Sequence, residues 1–171
     1  MKITSFDFDG TFFHTPLPEV GKPVFKAKTG HDWPYRGWWG RKESLDLDIF
    51  DIPINKFVLN KFVKHEQDGD YNILATGRLK FMTKSVLDVL DQHGLSEKFD
   101  EIHLNPGMDT FLFKANLYEN LINKKKPSEF IMYDDREEHL YKFEVWAKKQ
   151  PCKIVIFDVV NKIEKSFNKG V

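Results

Sequence analysis

The chain of 171 residues has a single cysteine, Cys152, so no disulfide can form within it. Cys152 opens the apolar run Cys152 to Phe157, a setting that favours burial over redox chemistry. Neither sign of charge is in excess: Lys plus Arg and Asp plus Glu each number 26, and the formal net charge is zero. A global basic field of the kind that draws nucleic acid is excluded, although a local basic patch is not. No apolar stretch reaches transmembrane length and no N-terminal signal pattern is present, so the expected location is the cytoplasm, away from membranes. Internal repeats and low-complexity segments are missing, and the short run Lys124-Lys125-Lys126 reads as a solvated connection. Also missing is a Gly-x-x-x-x-Gly-Lys-Ser/Thr loop, which excludes a P-loop kinase module.

What is present suffices for one sizeable core. With 41% hydrophobic residues over this length, a single domain spanning 1–171 is expected. The first informative segment is Ile3-Thr4-Ser5-Phe6-Asp7-Phe8-Asp9-Gly10-Thr11. Ile3 to Phe8 is short and rich in β-formers, and Gly10 permits a sharp turn, so it reads as a buried strand. Asp7 and Asp9 then share one face. Two close carboxylates repel and are costly to desolvate; a divalent cation, or a division between nucleophile and acid/base, resolves the conflict. The alternative is an Asp-Gly turn with solvated charges.

Further along, strands and helices alternate. His14 to Pro53 is rich in Pro, Gly and aromatic residues without a sustained period, so insert 14–53 reads as loops or a small flap beside the site. Helices are expected at Ile54–His65, Arg78–His93, Thr110–Asn123 and Glu137–Lys149. The second has Phe81, Met82, Ser85, Val86, Val89 and Leu90 as its inner face; the last carries Leu140, Phe143, Val145 and Trp146. Strands are expected at Tyr71–Ala75, Asp100–Leu104, Glu129–Tyr133 and Lys153–Asp158. This alternation argues for an α/β fold, a mostly parallel sheet covered on both faces, with ligands beyond the strand carboxyl ends. Asp7, Asp9, Thr76, Asp134 and Asp135 converge there.

Four segments in order resemble the motifs of the haloacid dehalogenase-like phosphohydrolases. The first is Asp7-Phe8-Asp9-Gly10-Thr11; the second, Ile73-Leu74-Ala75-Thr76-Gly77-Arg78, is an apolar strand ending in a hydroxyl. Lys114 fits the third, with Lys80 and Lys84 as competitors, and Phe130-Ile131-Met132-Tyr133-Asp134-Asp135-Arg136 fits the fourth. The likeness runs from Met1 to about Val159 and implies a Rossmann-like three-layer sandwich and a magnesium-dependent phosphatase without an organic cofactor. Finer similarity extends to the domain of this type in Swiss-army-knife RNA repair proteins. It is carried by Thr15-Pro16-Leu17-Pro18, Gly37-Trp38-Trp39-Gly40, Glu43-Ser44-Leu45, Asp134-Asp135-Arg136 and His139. The Thr76-Gly77-Arg78 and Asp134-Asp135-Arg136 segments are also similar to the 3′-phosphatase domain of polynucleotide kinase-phosphatases.

On this resemblance Asp7 is the nucleophile that forms an aspartyl-phosphate, and Asp9 is the general acid and base. Related ion-pumping ATPases carry Thr at the second position, so Asp9 favours hydrolysis. Magnesium would be held by Asp7, the Asp9 carbonyl and one of Asp134 and Asp135, with Asp135 favoured, while the other orients Lys114 or Arg136. Thr76 would bind a phosphate oxygen or cap a helix. Gly77 and Arg78 would offer backbone amides at a helix start, with Gly10 and Thr11 contributing to the phosphate cradle. Arg78 becomes a candidate contact to the substrate phosphate, and Lys114 would neutralise charge on Asp7.

In the insert, Trp33, Tyr35, Trp38 and Trp39 are interleaved with His31, Arg36, Arg41 and Lys42. They could stack a base and follow a nucleic-acid backbone, or simply anchor a flap on the core. His14 is placed at the entrance, His103 as a packing or capping residue, and His139 as support for the Arg136 loop. The expected partner is a phosphorylated substrate, an RNA or DNA end or a nucleotide being favoured. A small metabolite, or a module that binds phosphate or RNA without turnover, is the alternative.

Overall fold

The computed structural model describes residues 1–168; positions 169–171 of the expected domain lie outside the described residues. Among the described residues, strands β1 (Lys2–Phe6), β2 (Tyr71–Leu79), β3 (Glu101–Asn105), β4 (Glu129–Asp134) and β5 (Lys153–Asp158) run parallel, and β6 (Ile163–Phe167) returns antiparallel to β5. They form one six-stranded sheet in the order β3-β2-β1-β4-β5-β6. This is the mostly parallel α/β sheet that the alternation foretells. From β1 the chain winds outward through β2 to β3 on one side, then crosses back through the helix 110–125 to β4 on the other side of β1 and continues to β5. A crevice therefore opens beyond the carboxyl ends of these strands.

Side-chain alternation divides the core into two layers. From β1, Phe6 enters a cluster with Phe12, Phe62, Val86 and Leu90, beneath α2 (Lys56–Gln67) and α3 (Thr83–Gln92). Ile3 enters the opposite cluster with Tyr118, Phe130, Phe143 and Trp146, beneath α4 (Thr110–Lys125) and α5 (Glu137–Ala147). Asp7 has the parity of Ile3 and Ser5, and Asp134 that of Phe130 and Met132, so both carboxylates reach toward α4. Register confirms the neighbourhood: Phe6 pairs with Tyr133, and the Asp7 amide donates to the Tyr133 carbonyl at 3.0 Å.

Three features differ from expectation. Within the insert, Pro18–Thr29 forms a helix, α1, although Pro23 lies inside it and no apolar period announces it. Local rules would stop a helix at Pro23. Long-range packing sustains this one, because Val24 and Phe25 pack against the core, Phe25 edge-on to Trp33, and buried Trp38 donates its indole N–H to the Pro16 carbonyl at 3.0 Å. Second, the helix expected from Arg78 begins only at Thr83, preceded by a short 3-10 turn, Lys80–Met82. Gly77, Arg78 and Leu79 remain extended, with a register irregularity against β3 between Thr76 and Leu79. Phe81, expected on the inner face, is exposed, as is Val145 on α5. Third, β6 is a short, largely exposed strand without a strong apolar pattern, recognisable only by its pairing with β5. Cys152 is half-buried, and burial pushes its thiol pKa up.

Candidate active site

A tight turn follows β1. The Asp7 carbonyl accepts from the Phe12 amide at 3.2 Å, Phe8 accepts from Phe13 at 3.1 Å, and the Gly10 amide donates to the Phe13 carbonyl at 2.9 Å. Gly10 has φ +71°, and a Cβ added there would meet Asp135 Oδ2 at 2.3 Å. Glycine thus lets the turn close against the end of β4. Thr11 is fully buried and donates its hydroxyl to Asp135 Oδ1 at 3.1 Å, so it braces a carboxylate.

Lys114 sits on the inward stripe of α4 with Ala115, Tyr118 and Ile122. Its Nζ donates to Asp7 Oδ1 and to Asp134 Oδ2, both at 2.8 Å, and the residue is 1% exposed. The competing lysines are elsewhere: Lys84 pairs with Asp88 on the surface, and Lys80 is exposed. Asp134 also accepts from the Arg136 amide at 3.0 Å. Asp7, Asp134 and Asp135 bring oxygen atoms within 4.8 Å of one another. Ionised together with Lys114, they carry three negative charges against one positive.

The electrostatic consequences differ by residue. Burial, opposed by Lys114 but reinforced by Asp134 and Asp135, holds the Asp7 pKa well above the usual carboxylate range. Asp135 is raised by burial and by Asp134. Burial acts on Asp134 as well, yet the Lys114 charge and hydrogen bond, with the Arg136 amide, bring its pKa down. For Lys114 burial disfavours the charge, but Asp134 and Asp7 keep its pKa well above the ordinary lysine value. Asp7 and Asp135 are therefore the pair short of positive charge. Their donor set, all oxygen, suits a hard divalent cation such as magnesium.

If Lys114 is replaced by Met, similar in length and uncharged, Asp7 and Asp134 lose their shared partner. We expect the metal-free protein to lose about 3–5 kcal/mol of stability, the range for breaking a buried pair. Urea unfolding in chelator measures this; a loss below about 1 kcal/mol would contradict the shared-ion account.

Arg78 occupies a different place from the one its sequence suggested. It is 2% exposed and sits in the bulged stretch of β2. Nε donates to Asp9 Oδ2 at 2.9 Å and Nη2 to Asp9 Oδ1 at 2.8 Å, a two-pronged pair. Nη1 donates to the Trp39 carbonyl at 2.8 Å and to Ser44 Oγ at 2.6 Å. Four N–H groups are thus committed to Asp9 and the insert. Thr15 Oγ1 also donates to Asp9 Oδ1, at 2.7 Å. Thr15 and Ser44 had no role readable from sequence beyond membership of similar segments, since their partners lie in separate elements. The Thr76 hydroxyl, fully buried, accepts from the Arg78 amide at 3.1 Å. It caps an extended turn rather than a helix, and the expected pair of helix-start amides at Gly77 and Arg78 is not formed. Gly77 instead allows α4 to approach: an added Cβ would lie 2.8 Å from Thr110 Cγ2.

A cavity of about 410 Å³ opens over this cluster, lined by Asp7, Asp9, Gly10, Gly77, Lys114 and Asp135, with Leu17, Trp39, Arg136 and His139 among the remaining wall residues. His14, expected at the entrance, is exposed and is not one of those wall residues. His139 is buried, its pKa held down by burial and by Arg136, and its Nδ1 has no hydrogen-bond partner among the described residues. His103 pairs with Glu101 at 2.6 Å on β3.

No protein-family model matches the sequence, and no curated protein matches it. Solved structures do. CbbY from Rhodobacter sphaeroides, in complex with phosphate, is 14% identical, with a TM-score of 0.60 covering 91% of this chain and 85% of CbbY. A predicted phosphoglycolate phosphatase from Haemophilus somnus is 13% identical, with a TM-score of 0.60 over 91% of this chain and 84% of that one. A haloacid dehalogenase-like family hydrolase from Streptococcus pneumoniae is 11% identical, with a TM-score of 0.52 over 89% and 82%. The fold is that of the haloacid dehalogenase-like hydrolases. At such identities the likeness is one of fold, and the chemistry must be argued from the side chains.

Proposed function

We propose that the chain is a magnesium-dependent phosphomonoester hydrolase working through Asp7. The observation that carries this reading is buried Lys114, shared at 2.8 Å by Asp7 and Asp134 beside the partly unpartnered Asp135. Asp7, Asp135 and the Asp9 carbonyl would hold the cation, which supplies positive charge against the carboxylates and the phosphoryl oxygens. Asp7 attacks phosphorus with a carboxylate oxygen and the bond to the leaving oxygen breaks, while Asp9 gives that oxygen a proton. Asp9 then takes a proton from water, whose oxygen attacks the phosphorus of the aspartyl-phosphate; inorganic phosphate leaves and Asp7 is restored. Lys114 holds Asp7 in place and offsets charge throughout. Gly10, Thr11, Thr76 and Gly77 shape the phosphate end, Thr11 through Asp135 and Thr76 through Arg78. Arg78 acts as a positioning residue for Asp9. Insert 14–53 serves as a small flap over a single domain.

For substrate we favour a nucleotide or a nucleic-acid end, on the strength of the aromatic residue at the cavity wall. A small-metabolite ester is the second reading. It is favoured by the modest cavity volume, about 410 Å³, and by a form of CbbY solved with xylulose-(1,5)-bisphosphate. A non-catalytic module is disfavoured by the intact pair Asp7 and Asp9.

The test is release of inorganic phosphate from 3′- and 5′-phosphorylated oligonucleotides, mononucleotides and sugar phosphates, with magnesium and with chelator. We expect turnover with magnesium and its loss on chelation. The reading is sunk if no ester in the panel is hydrolysed in a manner that depends on Asp7. Turnover confined to sugar phosphates would leave the reaction standing and remove the nucleic-acid reading.

A further inference from the structure

The four tryptophans have different surroundings. Trp33 packs against Phe25, Tyr35 and Trp38; Trp38 is 4% exposed and also meets Phe50; Trp146 meets Tyr118, Phe130 and Phe143. Trp39 makes no ring-to-ring contact among the described residues, is 43% exposed, and lines the cavity. An exposed aromatic ring at a cavity wall offers a flat face on which a planar group can stack. Its position is held firmly. The Trp39 carbonyl accepts from Arg78, and the Arg78 guanidinium lies over its ring at 5.2 Å from the centroid.

Geometry also says which part of a substrate meets it. The same guanidinium grips both oxygens of Asp9, so Trp39 belongs to the wall next to the proton donor rather than the wall next to Lys114. Leu17, 55% exposed and also lining the cavity, follows two residues after Thr15, which donates to Asp9. A general acid stands beside the leaving oxygen, so the atoms beyond that oxygen meet Trp39 and Leu17. That wall is apolar and includes a planar ring.

We propose that Trp39 is the specificity-determining residue of the cavity. Its ring stacks on a planar ring carried by the leaving group, so the preferred substrate is a phosphomonoester of a nucleoside rather than of a plain sugar or polyol. This rests on the reading of the cavity as a phosphomonoesterase site and adds the identity of the leaving group.

The experiment compares adenosine 5′-monophosphate with ribose 5-phosphate, which differ only by the base, in wild-type protein, Trp39→Leu and Trp39→Phe. The backbone contact to Arg78 survives each change. Wild-type protein is expected to prefer the nucleotide. Trp39→Leu should lower the ratio of the two kcat/KM values roughly 5- to 100-fold, the size of one base-to-aromatic stack, mainly through KM; Trp39→Phe should restore most of it. Calorimetric binding of both ligands to Asp7→Asn protein should show the same contrast without turnover. An unchanged ratio in Trp39→Leu, or equal wild-type kinetics and binding for the two ligands, overturns the proposal. Persistence of turnover in Asp7→Asn would instead overturn the reading of the reaction, so the two failures are distinguishable.

Discussion

Asp7→Asn protein is expected to release phosphate at least on the order of 10⁴-fold more slowly than wild type, yet to melt at a higher temperature when magnesium is withheld. On the proposed mechanism, the rate loss follows from removing the attacking carboxylate. The stability gain follows from the charge. Burial, Asp134 and Asp135 raise the Asp7 pKa in the fold despite Lys114, so the folded state holds this proton more tightly than the unfolded chain does. The contribution of Asp7 is therefore most favourable below its unfolded pKa and declines as pH rises toward its folded one. The penalty is complete only once pH exceeds the folded value, so the comparison belongs at the alkaline end of the range in which the protein is stable. Asparagine has nearly the same shape without the charge, its carbonyl can still accept from Lys114, and Lys114 retains Asp134 as an ionic partner. A relief of about 1 kcal/mol would raise the melting point by roughly 2–4 °C for a chain of this size. With saturating magnesium the order should reverse, because a ligand that binds the fold through a carboxylate stabilises wild type more. Melting of Asp7→Asn below wild type in chelator would refute the account of repulsion among carboxylates.

The second large effect concerns Arg78. Arg78→Ala strands the Asp9 carboxylate, the Trp39 carbonyl and the Ser44 hydroxyl at once, and we expect a loss of about 3–5 kcal/mol of stability. Arg78→Lys is the more informative change. One ammonium cannot reproduce a fork that reaches both oxygens of Asp9 and two acceptors in the insert. On the proposed mechanism, folded Arg78→Lys protein should lose kcat by roughly 100-fold with little change in KM, because Asp9 would no longer be held where the leaving oxygen needs its proton. A rise in KM at constant kcat would return Arg78 to the role of substrate-phosphate contact that its sequence position suggested. Wild-type kinetics in a folded, less stable protein would reduce it to a structural tie between β2 and the insert.

Much of the frame was legible because it depends on local pattern. Strand β5 matches its expected range, Lys153–Asp158, and β4 extends its expectation by one residue to Asp134. Continuous apolar runs ending in carboxylates mark buried parallel strands that meet water only at their carboxyl ends. Side-chain parity in β1 and β4 already aims Asp7 and Asp134 at one layer. Helix α1 is hidden from local pattern because its stability comes from the docking of Val24 and Phe25 on the core rather than from helix propensity or an apolar period. Arg78 and Leu79 fall within the helix expected from Arg78 because local spacing there fits either form, and pairing with β3 separates the two.

Asp7, Asp9, Lys114, Asp134 and Asp135 could be nominated from sequence, since ionisable residues at the ends of apolar runs are conspicuous there. Their charge states could not, because whether a carboxylate is relieved or strained depends on which one shares Lys114, a matter of distances of 2.8 Å across separate elements. Likewise four aromatic residues of the insert were equal candidates for stacking, and burial removed Trp38 while leaving Trp39 at the cavity. Sequence alone determined the order of β1 to β5 and of α2 to α5 and the chemical types at the strand ends, because those follow from periodicity along the chain. Tertiary structure decided that Arg78 grips Asp9 and the insert together, because residues 9, 39, 44 and 78 become neighbours only when the sheet is wound and the insert folds back over it.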